Sequence, residues 1–277
     1  MADNKVVLVT GGNTGLGYEI VKALYASSQP YTLLIGARTP SKGESAIAQL
    51  KSEVPTSHSS LSVIQVDVSS DTSIEAALAT ISSTHGRLDA LINNAGALFD
   101  TQVEAGSAAS LRAAFNANWD TNVSGTHVLT TLAVPLLLKS ADPRVLFITS
   151  GTASLGETEE ANWGRHPSLP RLNAPPPAGW PKEGFRSSVG YRSSKTGLNM
   201  LMREWARILK NDGVKVWAIS PGFLATNLGG VGADLLKKMG ALEPSTGGQF
   251  IRAVVEGQHD KLVGQVIRPG PHTVVMW

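Results

Sequence analysis

The chain has 277 residues, with Lys plus Arg at 24 against Asp plus Glu at 22, a formal net charge of +2 and no long run of either sign; that balance argues against nucleic acid or an acidic membrane surface as a main partner. There is no Cys and the six His are isolated, which excludes disulfides and thiolate catalysis and predicts no metal site. With no apolar run long enough to span a bilayer and no signal-like start, the sequence predicts a soluble, cytoplasmic protein of one α/β domain over residues 1–277, large enough to bury a core without staples.

Residues 6–9 (VVLV) form an unbroken apolar run, the pattern of a strand buried on both faces. Thr10, Gly11, Gly12, Asn13, Thr14, Gly15, Leu16 and Gly17 follow, and then Ile20, Ala23 and Leu24 stand at helical spacing. Strand, glycine turn and helix place bare backbone N–H groups and a positive helix end where a pyrophosphate could lie, although the glycine spacing differs from GxGxxG. A second strand is predicted over 31–35, leading into Gly36, Ala37 and Arg38, and Ser41-x-x-Glu44 reads as a capping box with Ile47 and Leu50 inside its helix. A third strand over 61–66 delivers Asp67 and Val68 at its exit, and Thr72-x-x-Glu75 reads as the cap of a helix carrying Ile74, Ala77, Leu78 and Ile81. The fourth strand, 88–92, runs into Asn93, Asn94, Ala95 and Gly96. Strands and helices alternating this regularly predict a doubly wound parallel sheet (Rossmann-like, about seven strands) with ligands at the carboxyl ends of the strands.

A long helix is expected over 111–139 with Asn122 and Gly125 in its interior, and mid-helix Asn is unfavourable unless something uses its amide. Strand five, 144–148, exits through Thr149, Ser150 and Gly151. The pattern then breaks over 157–186, a Pro- and Gly-rich stretch holding Trp163, Trp180 and Phe185, read as an ordered surface excursion beside the site. Next come Tyr191 and Lys195 at i and i+4 on one helix face, which Leu198, Met202, Trp205 and Leu209 continue until Asn211-Asp212-Gly213 stops it. An ammonium fixed beside a phenol favours phenolate and should lower the Tyr191 pKa toward working pH, making it a proton donor and acceptor. Strand six spans 214–219 and leaves through Pro221, Gly222, Phe223 and Thr226; the glycine-flanked amphipathic segment within 223–243 suggests a mobile lid. A last helix over 244–255 and a strand over 264–267 complete the chain.

Taken in order, Thr10-Gly11-x-x-x-Gly15-x-Gly17, Asp67, Asn93-Asn94-Ala95-Gly96, Asn122, Ser150, Tyr191-x-x-x-Lys195 and Pro221-Gly222 through Thr226 resemble the short-chain dehydrogenase/reductase family over essentially the whole length. Thr14 stands where the extended epimerase-like branch has glycine, and the enoyl-reductase branch spaces its Tyr and Lys further apart. The resemblance implies a nicotinamide dinucleotide with its pyrophosphate on the glycine turn, Asp67 on the adenine, and Asn94 and its neighbours lining the cleft. It implies Lys195 on the nicotinamide ribose, Ser150 as donor to the substrate carbonyl oxygen, Tyr191 as proton donor, and Asn122 placing a water in the proton relay. Ser154 is a rival for the serine, and Asn116 and Asn118 for the asparagine.

The expected reaction is hydride transfer between the dinucleotide and a small-molecule ketone, aldehyde or alcohol, of carbonyl-reductase type judging by the length and place of the excursion. A dehydratase or isomerase on the same site, or a cofactor-sensing regulator, are the alternatives. Ala37 removes the acidic ribose acceptor of NAD-preferring relatives, and Arg38 with Lys42 supplies cations for a 2′-phosphate, so NADP(H) is expected over NAD(H). Trp163, Trp180, Phe185, Phe223 and the lid are expected to shape the substrate pocket. The excursion is expected to cover the outer face of the Tyr191 helix and favour a monomer.

Overall fold

Alternation along the first strand sets the layers. In β1 (Lys5–Thr10) Val7 and Val9 join one apolar cluster while Val6 and Leu8 join the other, so the strand has no solvent face, as a central parallel strand requires. The computed structural model describes residues 4–104, 106–182 and 188–277. After β1 come α1 (Gly15–Tyr25), β2 (Tyr31–Ala37), α2 (Pro40–Glu53), β3 (Ser60–Gln65), α3 (Asp71–His85) and β4 (Ala90–Asn93). The second half runs α4 (Ala108–Trp119), α5 (Gly125–Leu137), β5 (Arg144–Ile148), α6 (Leu169–Asn173), α7 (Val189–Ile208), β6 (Lys215–Ile219), α8 (Ala233–Lys238), α9 (Pro244–Val255) and β7 (Val266–Ile267).

The strands form one seven-stranded sheet in the order β3-β2-β1-β4-β5-β6-β7, every pairing parallel. Ile20, Leu24, Ile47, Leu50, Ile251 and Val254 from α1, α2 and α9 cover one face, and Ile74, Ile81, Leu129, Leu198 and Met202 from α3, α5 and α7 cover the other. Each such fully buried aliphatic side chain contributes about 2 kcal/mol through removal from water. Strand order reverses between β1 and β4, which opens a crevice at their carboxyl ends. No helix among the described residues is long and apolar enough to cross a membrane.

Three local expectations are corrected. Helix α2 begins at Pro40 with Thr39 in the cap position, because proline presets the backbone for a first turn; Ser41 lies inside it, its carbonyl accepting from Ser45 Oγ at 3.0 Å. Helix α3 is capped by Ser70, which accepts from the Ser73 N–H, leaving Thr72 in the first turn. The helix expected over 111–139 starts at Ala108 and is interrupted by a π turn at Asp120–Ser124. A side chain at Gly125, just beyond that turn, would lie 1.8 Å from the Val68 carbonyl oxygen, so only glycine lets α5 lie against the exit of β3.

The excursion after β5 is fastened to the C-terminal tail. Ser154 Oγ donates to the Met276 carbonyl at 2.6 Å. Glu157, fully buried, receives Arg268 Nη1 on Oε2 at 3.0 Å, and Nη2 stands 2.9 Å from Oε1 as an ion contact. Removing one member of a buried pair strands the other charge without solvent. Arg268→Met should therefore cost about 3–5 kcal/mol, and the double variant Glu157→Met/Arg268→Met should recover much of it. Urea unfolding of the wild type, Arg268→Met, Glu157→Met and the double variant measures the coupling; costs that simply add would show that the pair is not coupled.

Candidate functional site

The site begins where β1 ends. Thr10 Oγ1 accepts from the N–H groups of Asn94 (3.0 Å) and Ala95 (2.9 Å) and donates to the Ile92 carbonyl at 3.3 Å, while Asn94 Nδ2 donates to the Thr10 carbonyl at 2.8 Å. The two strand ends on either side of the crevice are thereby locked together. Gly11 and Gly15 have φ of +62° and +54°, conformations that side chains resist. A Cβ on Gly17 would sit 2.1 Å from the Gly11 carbonyl oxygen, so α1 starts against bare backbone. Its cap residue Thr14 makes no side-chain cap bond and its first turn carries no acid, which leaves N–H groups and the positive helix end directed at the cradle. Asn13 and Leu16 lie within this turn, and Thr226, from the segment after β6, approaches Gly15 to 3.7 Å of where a Cβ would stand. These residues fit a diphosphate group.

At the neighbouring strand exits, Ala37 is buried and Arg38 and Lys42 are exposed, with no acidic partner for either among the described residues. Asp67 turns one carboxylate oxygen to the Ser69 N–H at 3.0 Å, and Val68 is buried beside Gly125.

On α7 Tyr191 stands beside Ser150, close enough for the Ser150 side chain to favour the phenolate, and Lys195 Nζ lies 5.8 Å from the Tyr191 ring centroid. Ser150 also accepts from the Thr152 N–H at 3.2 Å, whereas its rival Ser154 is committed to the C-terminal tail. Nζ of Lys195 donates to the Ile148 carbonyl at 2.9 Å, and a Cβ on Gly96 would meet both that nitrogen (3.1 Å) and Asn122 Oδ1 (3.0 Å). The expected lowering of the Tyr191 pKa does not occur in the protein alone. Desolvation pushes the phenol up to about 12, against the opposing effect of the neighbouring Ser150 hydroxyl. Burial brings Lys195 down to about 8, and its ammonium turns to a backbone carbonyl rather than to the phenol.

The side chain of Asn122 is likewise occupied: Oδ1 accepts from Ala97 N–H at 2.9 Å, and Nδ2 donates to the Ala97 carbonyl and to Ser194 Oγ, each at 3.0 Å. It braces the exit of β4 against α7, which explains a buried mid-helix Asn. Asn118 makes a parallel brace, donating to Asp100 Oδ2 at 3.1 Å.

Two contributors escaped the sequence reading. Asp100 accepts from the Gly190 and Tyr191 N–H groups at 2.7 and 2.9 Å, capping α7 from a loop 90 positions away in the chain. Arg192 donates to the carbonyls of Thr152 (3.1 Å) and Leu172 (3.2 Å) and to Asn173 Oδ1 (2.6 Å), docking the excursion at the start of α7. An arginine in a first helical turn opposes the helix dipole, a signal in the sequence that it has a tertiary partner. Among the described residues the excursion therefore meets the start of α7, while Met200 and Ile208 further along that helix are 65% and 48% exposed.

Phe223 is half-buried and stacks beneath Arg171 at 4.8 Å; Trp163 is half-buried, whereas Trp180 is 89% exposed. Phe185 lies outside the described residues. Pro221 is buried and Gly222 takes φ +104°. The segment expected as a lid is tied at its base, Ala225 N–H to the Leu242 carbonyl at 2.9 Å and Leu242 N–H to the Phe223 carbonyl at 2.8 Å. Its glycines 229, 230 and 232 all have positive φ.

A family profile described as short chain dehydrogenase matches residues 5–164 and 178–232. The chain is 47% identical over 263 residues to the short-chain dehydrogenase/reductase eupG of a Phoma species, spanning 92% of this chain and 91% of that one. It is 43% identical over 267 residues to the short-chain dehydrogenase/reductase tropE of Talaromyces stipitatus, spanning 96% of each. Among solved structures, an NADPH-bound carbonyl reductase from chicken fatty liver superposes with a TM-score of 0.75 at 24% identity, covering 99% of both chains. A 3-oxoacyl-[acyl-carrier protein] reductase from Brucella melitensis in complex with NAD does so with a TM-score of 0.72 at 21% identity, covering 97% of this chain and 96% of that one; at these identities the likeness speaks for the fold. The chain belongs to the short-chain dehydrogenase/reductase family.

Proposed function

We propose that this enzyme transfers hydride between NADP(H) and the carbonyl carbon of a ketone or aldehyde, working as a carbonyl reductase. The observation that carries the reading is the convergence of Ser150, Tyr191 and Lys195 beside the glycine cradle at the carboxyl end of the sheet. When bound, the dinucleotide supplies the hydride donor or acceptor at its nicotinamide ring. Thr10, Gly11, Asn13, Thr14, Gly15, Leu16 and Gly17 hold its diphosphate, with Thr226, Pro221 and Gly222 on the opposite side. Asp67 and Val68 would hold the adenine, Asn94, Ala95 and Gly96 would line the cleft, and Lys195 would bind the nicotinamide ribose. Ser150 Oγ donates to the substrate oxygen as negative charge builds there, and Tyr191 delivers its phenolic proton to the same atom. A phenol held up at about 12 is protonated at neutral pH, the state that reduction needs. Asn122 and Asp100 keep the β4 exit and the first turn of α7 in register with these groups.

Tyr191→Phe keeps the ring and removes the proton, so turnover of a good carbonyl substrate should fall at least about a hundredfold while dinucleotide binding hardly changes. Near-normal turnover would remove Tyr191 from the mechanism. Lys195 is the group with a pKa brought to about 8; its charge is present below that pH and lost above it, so dinucleotide affinity should decline as pH rises through that value. Lys195→Arg, which stays charged, should flatten the decline, and a pH titration of binding decides between them.

Asp100→Ala should lower kcat at constant dinucleotide affinity, by removing the cap that sets the backbone of Tyr191. Asp100→Asn, which can still accept, should retain more activity, and equal damage from both variants would assign Asp100 a role in stability alone.

The preference for NADP(H) rests on this chain's own Ala37, Arg38 and Lys42, since proteins of this fold are seen with either dinucleotide. An unpaired guanidinium beside a 2′-phosphate is worth roughly tenfold or more in affinity. Ala37→Asp with Arg38→Ala should reverse the preference, and equal affinities of the wild-type enzyme for the two dinucleotides would refute it.

A further inference from the structure

The excursion presents a cation whose role the mechanism above leaves open. Helix α6 is held rigidly: Leu169 is buried, Arg192 grips the Leu172 carbonyl and Asn173 Oδ1, and Asn173 Nδ2 donates to the Glu157 carbonyl at 2.9 Å. Arg171 stands in the same short turn. Its guanidinium carbon lies 4.8 Å from the ring centroid of Phe223, on the segment that leaves β6. The Arg171–Phe223 stack thus links the two segments flanking the Ser150–Tyr191 pair, one tied to Tyr191's neighbour Arg192 and the other following Pro221 and Gly222.

Arg171 is exposed and makes no hydrogen bond or ion pair with any described residue. Of the described acids on the excursion, Glu157 is taken by Arg268, and neither Glu159 nor Glu160 pairs with Arg171. A solvated surface arginine would be free to swing; this one is backed by an aromatic face and carried on a braced turn. Stacking uses the face of the guanidinium and leaves its in-plane N–H groups for a planar anion, which they grip in a bidentate fork.

We propose that Arg171 is a specificity-determining residue that selects carbonyl substrates carrying an anionic group, a carboxylate or an ionised acidic hydroxyl. The inference rests on the carbonyl-reductase reading. The anion pairs with the in-plane edge of the Arg171 guanidinium while the carbonyl oxygen is presented to Ser150 and Tyr191, and Phe223 keeps the guanidinium oriented.

The test uses matched pairs, formyl- and acetyl-substituted benzoates and arylacetates beside their methyl esters, following oxidation of NADPH by wild-type enzyme and by Arg171→Met and Arg171→Lys. The acid-to-ester ratio of kcat/KM should favour acids in the wild type, mainly through KM. It should fall at least about tenfold in Arg171→Met, the scale of one charge-assisted hydrogen bond, with Arg171→Lys between. An unchanged ratio in Arg171→Met overturns the proposal, as does an equal loss for acid and ester, which would make the stack a mere latch between excursion and lid. If no carbonyl compound is reduced, the reductase reading itself fails. A calorimetric titration of benzoate and benzamide into the NADPH-loaded proteins then still decides the role of Arg171: selective loss of benzoate binding in Arg171→Met supports it, and equal binding of benzoate by both proteins rejects it.

Discussion

One hydroxyl group splices the crevice on which the site depends. Thr10 Oγ1 takes two backbone N–H groups from the exit of β4 and gives its hydrogen to Ile92, so β1 and β4 remain in register at the point where the strand order turns back. Parallel strands buried on both faces cannot offer side chains to solvent, and ligands have only the strand exits to bind. The candidate site residues gather there, and the Thr10 bridge joins the glycine cradle on one side to the β4 exit that leads to Gly96, Asn122 and Lys195 on the other.

Around this splice the first turn of α7 is held from three directions. Asp100 caps its N–H groups from the loop after β4, Asn122 reaches Ser194 from the π turn, and Arg192 ties it to the excursion. Two backbone specialities make these contacts possible: the extra residue of the π turn, which directs Asn122 inward, and glycine at 125, which lets α5 approach Val68. The result is a preorganised Tyr191, a requirement for proton transfer in which small misplacement is costly.

The electrostatics of the site follow from burial more than from charge pairing. Both Tyr191 and Lys195 are pushed toward their neutral forms, because removing either charge from water outweighs what their mutual attraction returns at the separation seen. A buried lysine with its charge poised near neutrality is a natural partner for ribose hydroxyls, since gaining those acceptors would restore solvation to the ammonium.

Sequence alone determined the order and type of the main elements and the parallel sheet, and it pointed to the strand exits as the candidate site. Apolar runs such as 6–9 and 144–148, and the spacing of Leu198, Met202 and Trp205, report burial directly, and burial is what makes a strand or a helix face. The glycine turn was legible because positive φ and close backbone approach have one residue that suits them. The sequence did not determine which Ser, Thr or Pro capped a helix, since several adjacent residues can start one and small differences in backbone preference choose among them. The occupation of Asn122, the separation of Ser150 from Ser154, the cap supplied by Asp100, the Arg171–Phe223 stack and the direction of the Tyr191 pKa were decided by tertiary structure. Each depends on which groups the fold brings together across tens of residues and on how much water it removes from them, and neither quantity is written in local pattern or spacing.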